Sequence, residues 1–568
     1  MSTSSRRGKP AGAGSSTTTR VVFLGGMGEI GRNMTLFEHD GKILVVDVGL
    51  MFPTEEMLGV DLVLPDFTYL RERADRVIGV LLTHAHEDHI GGLAYLLKEM
   101  DLPPVYGAKL TLGILRPKLE EHRVLGRAEL VEVAAPGELE LGPFKLRFFN
   151  MVHSIPDCLG TLITTEAGTI LYTSDYKLDT DPIGGRATDL EGIAQAGREG
   201  IDLLMGDSTG ADHPGHTPSE RTVGKPIADA VSSASGRVIV ACFASNLHRV
   251  QQIARAAEED GRRVAFLGRS MVNNVNVAMK LGYIDIPESM IIPINQTEQH
   301  PAHKVVVICT GSQGEPLSAL SLMAAREHKW IKLHDGDTVI LSATPIPGNE
   351  SAVRRVIDGL FRIGATVVAP PTSSVHVSGH AAAEDLKVLL NTAKPNFFVP
   401  VHGEYRHLAL HRDLALETGI PLESTLVMDD GDVLELTDGK VSKAREKVEA
   451  GYVFVDGLGI GDVEDEVLRD RRVLADEGVV VCVVTINLAD GSLVAGPDII
   501  SKGFVFEDSA VELIEEAKAE IRQSLATLAE DEITDYTAVR RTVRKTLGKF
   551  VWRQTGRRPI IVPVVMEV

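Results

Sequence analysis

Cysteine is scarce in this chain: Cys158, Cys242, Cys309 and Cys482 lie scattered through 568 residues and form no CxxC pair. This argues against a disulfide framework and fits a reducing compartment, so a cytoplasmic location is expected. Long apolar runs are missing too, and none approaches the ~20 residues of a membrane span. No membrane association is therefore expected. Residues 1–20 are rich in Ser, Thr, Gly and Ala and lack the apolar core of a signal peptide. They read as a disordered tail. No internal repeat is found. Positive charge is in deficit: 58 Lys and Arg stand against 79 Asp and Glu, a net charge of −21. That balance argues against a broadly basic, phosphate-binding surface.

What the chain does have is a dense block of metal-ligand chemistry. His84, His86, Asp88 and His89 fall within six residues, directly after the apolar run Val77 to Leu82. A buried strand ending in such a loop, followed by a helix from Ile90 to Met100, presents its ligands to one point. Imidazole and carboxylate together suit divalent zinc or manganese, and this density suggests two ions. Further candidates stand in matching contexts just after β-branched runs. Asp47 follows Ile43 to Val46, His153 follows Lys145 to Val152, Asp175 follows Thr169 to Ser174, and His402 follows Asn396 to Val401. One such residue alone is an ordinary strand-end cap; the recurrence points to a shared sheet edge.

These residues resemble the motifs of metallo-β-lactamase-fold hydrolases. The resemblance implies that His84, His86 and His153 hold one metal, that Asp88, His89 and His402 hold another, and that Asp175 bridges them. It casts Asp47 as the carboxylate that orients the loop histidines. The interval between Asp175 and His402 is too long for the plain hydrolase core. Within it and at its end stand Asp207, His380 in the run His376-Val377-Ser378-Gly379-His380, and His402 itself. These resemble the three motifs of the β-CASP group, the nucleic-acid-cleaving branch of the superfamily. With the loop Gly25 to Met34 and the C-terminal extension, the chain after its first twenty residues is most similar to the bacterial ribonuclease J family.

The expected fold class is accordingly α/β: a metallo-β-lactamase αββα sandwich with an inserted β-CASP α/β domain and a small C-terminal α/β domain. Expected boundaries are 21–213 and 371–445 for the sandwich, 214–370 for the insert, 446–465 for a linker and 466–568 for the last domain. The resemblance implies a two-metal ribonuclease, acting 5′-to-3′ on monophosphorylated ends and also internally. Two divalent ions per subunit are expected, zinc first, with manganese or magnesium as alternatives. Asp88, Asp207 and His380 are the catalytic candidates. His380 is expected to protonate the leaving oxygen or contact the transition state, oriented by Asp207. Ser245, Asn246, His376, Val377, Ser378, Gly379 and His380 are candidates for RNA phosphate. Expected partners are RNA, a second or further copies through the C-terminal domain (a homodimer or homotetramer), and proteins of RNA decay. A DNA or 3′-end-processing nuclease and a non-catalytic scaffold are the competing readings. The intact ligand set disfavours the scaffold.

Two features have blander explanations. Gly26-Met27-Gly28-Glu29-Ile30-Gly31 matches GxGxxG, but a dinucleotide fingerprint must open a helix. Here two strands, Met34 to Glu38 and Ile43 to Val46, are expected instead, and the loop reads as one that lets backbone approach the site. The segment Arg540 to Arg558 gathers Arg540, Arg541, Arg544, Lys545, Lys549, Arg553, Arg557 and Arg558. It is open between RNA contact, a solvated helix face and an oligomer contact.

Overall fold

A computed structural model describes residues 17–315, 317–346, 348–487, 492–504, 511–528 and 535–568. The chain forms two compact units, Met1–Phe52 with Val63–Val453, and Pro53–Leu62 with Phe454–Val568.

In the first unit two sheets face each other. The eight-stranded sheet runs Lys440–Lys447, Asp432–Thr437, Thr18–Gly25, Met34–His39, Lys42–Val46, Val77–Leu82, Val105–Gly107, Leu130–Glu132. The six-stranded sheet runs Phe397–Val401, Leu203–Asp207, Gly168–Tyr172, Cys158–Thr165, Phe144–Met151, Gly137–Leu141. Phe23, Phe37, Leu44 and Leu81 from the first sheet meet Phe144, Phe148, Ile163 and Met205 from the second in one apolar layer. The outer face of the second sheet is covered by helices Leu190–Glu199, Ala383–Ala393 and Tyr405–Glu417, through Ile193, Leu386, Leu389 and Ala415. This is the expected sandwich, and residues far apart in the chain close it: Leu203–Asp207 pairs in parallel with Phe397–Val401.

The insert is a five-stranded parallel sheet in the order Arg263–Leu267, Val305–Cys309, Val238–Ala241, Thr338–Leu341, Thr366–Val368. Its strands are nearly continuous apolar runs, as a sheet buried on both faces requires. In the second unit the strand Val479–Ile486 pairs antiparallel with Leu493–Lys502 and in parallel with Ile560–Glu567. Helices Val511–Ala526 and Tyr536–Thr555 pack on it through Ile521, Leu525, Val539, Val543 and Leu547.

Three local expectations change. The first strand begins at Thr18, so Thr18 to Arg20 belong to the sheet, where they pair with Glu435 to Thr437; residues 1–16 lie outside the described residues. The helix expected from Ile90 is two pieces, Glu87–Ile90 and Leu93–Glu99. Gly91-Gly92 forms the break because Gly92 N donates to Val48 O at 2.9 Å and a Cβ there would strike Gly49. The strand Leu493–Lys502 was not expected; its Gly-Pro interruption at Gly496-Pro497 hides the β pattern.

Candidate metal centre

Strand ends place the candidate ligands along one rim of the sandwich. Asp47 follows Lys42–Val46, Thr83 and His84 follow Val77–Leu82, Asp175 lies just beyond Gly168–Tyr172, Asp207 ends its strand, and His402 follows Phe397–Val401. Turning the chain sharply at this rim puts Asp47, Ser174 and His402 at φ of 61°, 56° and 55°, a left-handed backbone uncommon for residues other than glycine. The Gly-rich loop that resembled a nucleotide fingerprint opens no helix. Its Met27–Gly28 pairs with Gly403–Glu404, and Gly26 O accepts from His402 N at 3.1 Å. The loop therefore sets the height of His402, and a dinucleotide role is excluded by its local structure.

The seven candidate ligands converge in overlapping groups: His84, His86, His153 and Asp175, then Asp88, His89, Asp175 and His402. His84 Nε2 lies 3.0 Å from His86 Nδ1, which lies 3.1 Å from His153 Nε2. Tetrahedral zinc with nitrogens at 2.0–2.1 Å would space them at about 3.3 Å. Asp175 Oδ2 stands 3.7, 3.4 and 3.6 Å from the Nε2 atoms of His84, His89 and His153. His402 Nε2 is 3.2 Å from Asp88 Oδ2.

Each outward-facing imidazole nitrogen is engaged in a way that frees the inward one. His153 Nδ1 donates to Gly379 O at 2.7 Å, and His89 Nδ1 to Asp47 Oδ2 at 2.7 Å. Thr83 Oγ1 donates to Asp47 at 2.9 Å and so accepts from His84 Nδ1 at 3.1 Å. Thr209 Oγ1 donates to His402 O at 3.2 Å and accepts from His402 Nδ1 at 2.7 Å. These bonds leave a lone pair on the Nε2 of His84, His89, His153 and His402 pointing inward, the tautomer that ligates a metal, whereas His86 turns its Nδ1 inward and keeps its Nε2 3.3 Å from Ser154 Oγ. Among the described residues Asp175 Oδ1 is buried with no hydrogen-bond partner, as fits a carboxylate oxygen that ligates a cation.

Electrostatics agree. Burial holds His84 and His153 well below the ordinary histidine range, with neighbouring imidazoles adding to it. Burial also pushes His86 down to about 4 against the pull of Asp88 and Asp175. Burial resists the charge of Asp175, but His402 and His89 outweigh it and keep the carboxyl well below its usual range. On the other side Asp175, Asp207 and Asp88 overcome burial and raise His402 to about 10. Neutral His84, His86 and His153 beside buried carboxylates make a pocket that accepts cations, and His89 and His402, raised by those same carboxylates, would give up a proton on binding one. The residues present fit divalent metal.

His380 stands beside this cluster, its ring stacked on His402 at 5.5 Å between centroids. Its Nδ1 is 2.8 Å from Asp207 Oδ2, while Asp207 Oδ1 receives the Thr209 amide at 3.0 Å. The structure thus brings Asp207, His380 and Gly379 to the cluster. It does not bring Ser245 and Asn246 into hydrogen bonds with it. Asn246 Oδ1 caps the helix Leu247–Glu259 by accepting Arg249 N at 3.1 Å, and Ser245 O accepts Leu247 N at 2.8 Å. His376 lies 3.5 Å from the Arg249 guanidinium; burial and that charge push it down to about 3. Ser378 is exposed, and its hydroxyl accepts His380 N at 3.0 Å. Val377 and Gly379 are half-buried.

Four supporting residues carry no obvious signal in the sequence. Asn33 Nδ2 donates to Asp88 O at 3.0 Å and lies 3.2 Å from His89 Nε2. Thr209 fixes His402, as above. Lys177, buried, donates to Ser378 O at 3.3 Å. Arg249, fully buried, is bound by both oxygens of Glu220 and donates to Val375 O at 3.1 Å. Position next to an identified motif could have flagged Asn33 and Thr209. Nothing local flags Lys177 or Arg249.

Comparison with known proteins decides the family. Residues 27–229 match the metallo-beta-lactamase superfamily and 235–360 the ribonuclease J beta-CASP domain. Residues 367–424 match the Zn-dependent metallo-hydrolase RNA specificity domain and 466–568 the ribonuclease J C-terminal domain. Ribonuclease J of Mycolicibacterium smegmatis is 45% identical over 549 residues, 97% of each chain. Ribonuclease J2 of Bacillus subtilis is 41% identical over 549 residues, 97% of this chain and 98% of its own. The chain belongs to the ribonuclease J family. A protein of unknown function from Enterococcus faecalis V583 shares the fold over 74% of this chain and 100% of its own, with a TM-score of 0.52 at 17% identity. The family's metallo-hydrolase and C-terminal regions account for the sandwich and the terminal α/β unit, and no described helix is long and apolar enough to cross a membrane.

Proposed function

We propose that the chain is a metal-dependent ribonuclease that removes nucleotides 5′-to-3′ from monophosphorylated RNA and also cuts internally. The observation that carries this reading is the pair of ligand groups sharing Asp175, with the Asp207–His380 pair at their edge. His84, His86 and His153 would hold one ion and Asp88, His89 and His402 the other, with Asp175 available to both; Asp47 fixes His89. Zinc suits this nitrogen-rich set best, with manganese or magnesium as alternatives. Divalent ions bound there supply an activated water and neutralise charge on the phosphoryl oxygens.

The chain's own groups do the rest. Asp88, at the open side of the cluster, positions the attacking water. Water attacks phosphorus, the P–O3′ bond breaks, and the new 5′-phosphate stays on the downstream RNA. His380, held by Asp207 through Nδ1, delivers a proton from Nε2 to the departing 3′-oxygen. The segment His376 to His380 holds phosphate near the scissile bond, and Ser245 and Asn246 from the insert, with His376, receive the terminal 5′-phosphate; the amides before the helix Leu247–Glu259 suit an anion. The domain boundaries expected from the motifs, assembly of copies through the C-terminal domain, and association with other RNA-decay proteins belong to the same reading.

The test uses end-labelled and internally labelled RNAs with a 5′-monophosphate or a 5′-triphosphate. Mononucleotides from the monophosphate form, lost in Asp88→Ala and His86→Ala, support the exonuclease; internal fragments from both forms support the endonuclease. A metal-loaded wild type that cuts DNA and leaves RNA intact overturns the proposal.

A further inference from the structure

The second unit carries a surface that the metal centre does not use. The helix Tyr536–Thr555 buries Val539, Val543, Leu547, Phe550 and Val551 in the core of its unit and turns its charged residues outward. From Tyr536 to Arg558 there are eight Lys and Arg and no Asp or Glu, in a chain whose net charge is −21. Arg540, Arg541, Arg544, Lys545 and Lys549 are all exposed, and among the described residues none of them forms an ion pair. Among the described residues, Arg553 pairs with Glu520 at 2.6 Å and Gln554 donates to Glu516 at 3.4 Å on one flank, and Glu477 accepts the Arg558 amide at 3.3 Å beyond the helix end.

A merely solvated helix face would mix both signs, because unpaired like charges on successive turns repel. This one keeps a single sign on every exposed turn. Arg541, Lys545 and Trp552 follow one another at spacings of four and seven residues, on a line about 16 Å long at 1.5 Å per residue. Trp552 is 54% exposed at its end, with the Arg558 guanidinium 5.7 Å from its ring. Tyr536 is 40% exposed with Arg540 at 5.4 Å. A cationic track ending in open aromatic rings matches single-stranded nucleic acid, whose phosphates need cations and whose bases stack.

We propose that the solvent face of the helix Tyr536–Thr555 is a separate RNA contact, which holds single-stranded RNA by its phosphates and stacks a base on Trp552. The proposal rests on the ribonuclease reading for its choice of polyanion. An acidic protein or a second copy of the chain is the competing occupant.

The test compares the full-length, metal-loaded wild type with Arg541→Gln/Lys545→Gln/Lys549→Gln and with Trp552→Ala. Affinity for a long phosphorothioate RNA is measured across salt concentrations, beside hydrolysis of a short oligoribonucleotide. The triple variant is expected to bind long RNA about tenfold or more weakly, and its salt slope to fall by roughly 2, since each lost phosphate contact on a single strand removes ~0.7. Trp552→Ala is expected to lose about fivefold or more. Short-oligonucleotide hydrolysis stays unchanged, and Arg541→Lys keeps the wild-type slope. Equal affinity and slope in wild type and triple variant overturn the proposal. So does a change in sedimentation with RNA affinity per protomer unaltered, which assigns the face to contact between copies. A wild type that hydrolyses no RNA overturns the ribonuclease reading instead; normal hydrolysis with an unaltered slope overturns only this inference.

Discussion

The loop Thr83 to His89 and the segment His376 to His380 meet at one site by opposite means. The loop carries its chemistry in its own side chains: His84, His86, Asp88 and His89 all point into one cluster within a single turn of chain. The segment offers mostly backbone. Gly379 O orients His153, Ser378 O accepts Lys177, Val375 O just before the segment accepts Arg249, and only His380 reaches the cluster with its side chain. Ligation is a property of residue type and so is local. Positioning is a property of contacts, and the contacts come from residues 126 to 226 positions away.

The comparison breaks most sharply at Asp175, the residue both ligand groups share. Asp175→Ala is expected to abolish detectable hydrolysis, a loss on the order of a thousandfold or more, since the charge that stabilises the phosphoryl oxygens goes with it. Elemental analysis of the purified variant should show metal reduced in both groups. Full metal content would show that Asp175 does not bridge.

His380→Ala comes next and separates ligand from proton donor. Hydrolysis should fall about 10²- to 10⁴-fold, the range for a general acid, while metal content stays at the wild-type level. An RNA with a better leaving group at the scissile bond should recover part of the loss. Loss of metal in this variant would make His380 a ligand, as its place near Asp175, Asp207 and His402 allows.

These two cases also mark how far the sequence could be read. The sandwich, the parallel insert and the terminal α/β unit follow from strand runs such as Val77 to Leu82 and Val305 to Cys309, because strands buried on both faces are written as near-continuous apolar segments. The ligands follow because each stands at the end of such a run. The supports do not follow. Lys177 reads as an ordinary surface lysine until its burial beneath Ser378 is seen, and Arg249 reads as a helix-face arginine until Glu220 is found across from it. Asn246 can serve twice: its carboxamide oxygen caps the helix Leu247–Glu259, which leaves the amides at that helix start for an anion.

Lys177→Met sharpens the contrast from the side of the segment. Removing the ammonium should leave the metal ligands in place but free Ser378 O and, one residue on, the Gly379 carbonyl that orients His153. Mutations of groups that orient metal ligands cost about 10- to 100-fold in affinity or activity. Metal titration should therefore show weakened binding by that factor with the thermal transition retained. Unchanged metal affinity would place Lys177 in the scaffold alone.

The smallest effect concerns protons rather than metal. His411, fully buried beside Ser208 with Nδ1 3.0 Å from the Ser208 hydroxyl, is pushed down to about 3 by burial, with Asp207 pulling weakly the other way. Its folded pKa lies below the unfolded value of about 6.5, so between pH 3 and 6.5 the unfolded chain binds the extra proton. Stability from this group is complete above pH 6.5 and is lost as pH falls through the window, at up to about 1.4 kcal/mol per pH unit. His411→Gln keeps a polar partner for Ser208 and removes the titration. Urea unfolding of both proteins should show the wild type losing roughly 1 kcal/mol more than the variant between pH 7.5 and 5.5. Other acid-sensitive groups cancel in that difference. Parallel curves would mean that the native state takes up the proton at His411, and that the helix Tyr405–Glu417 admits a charge next to the strand that ends in Asp207.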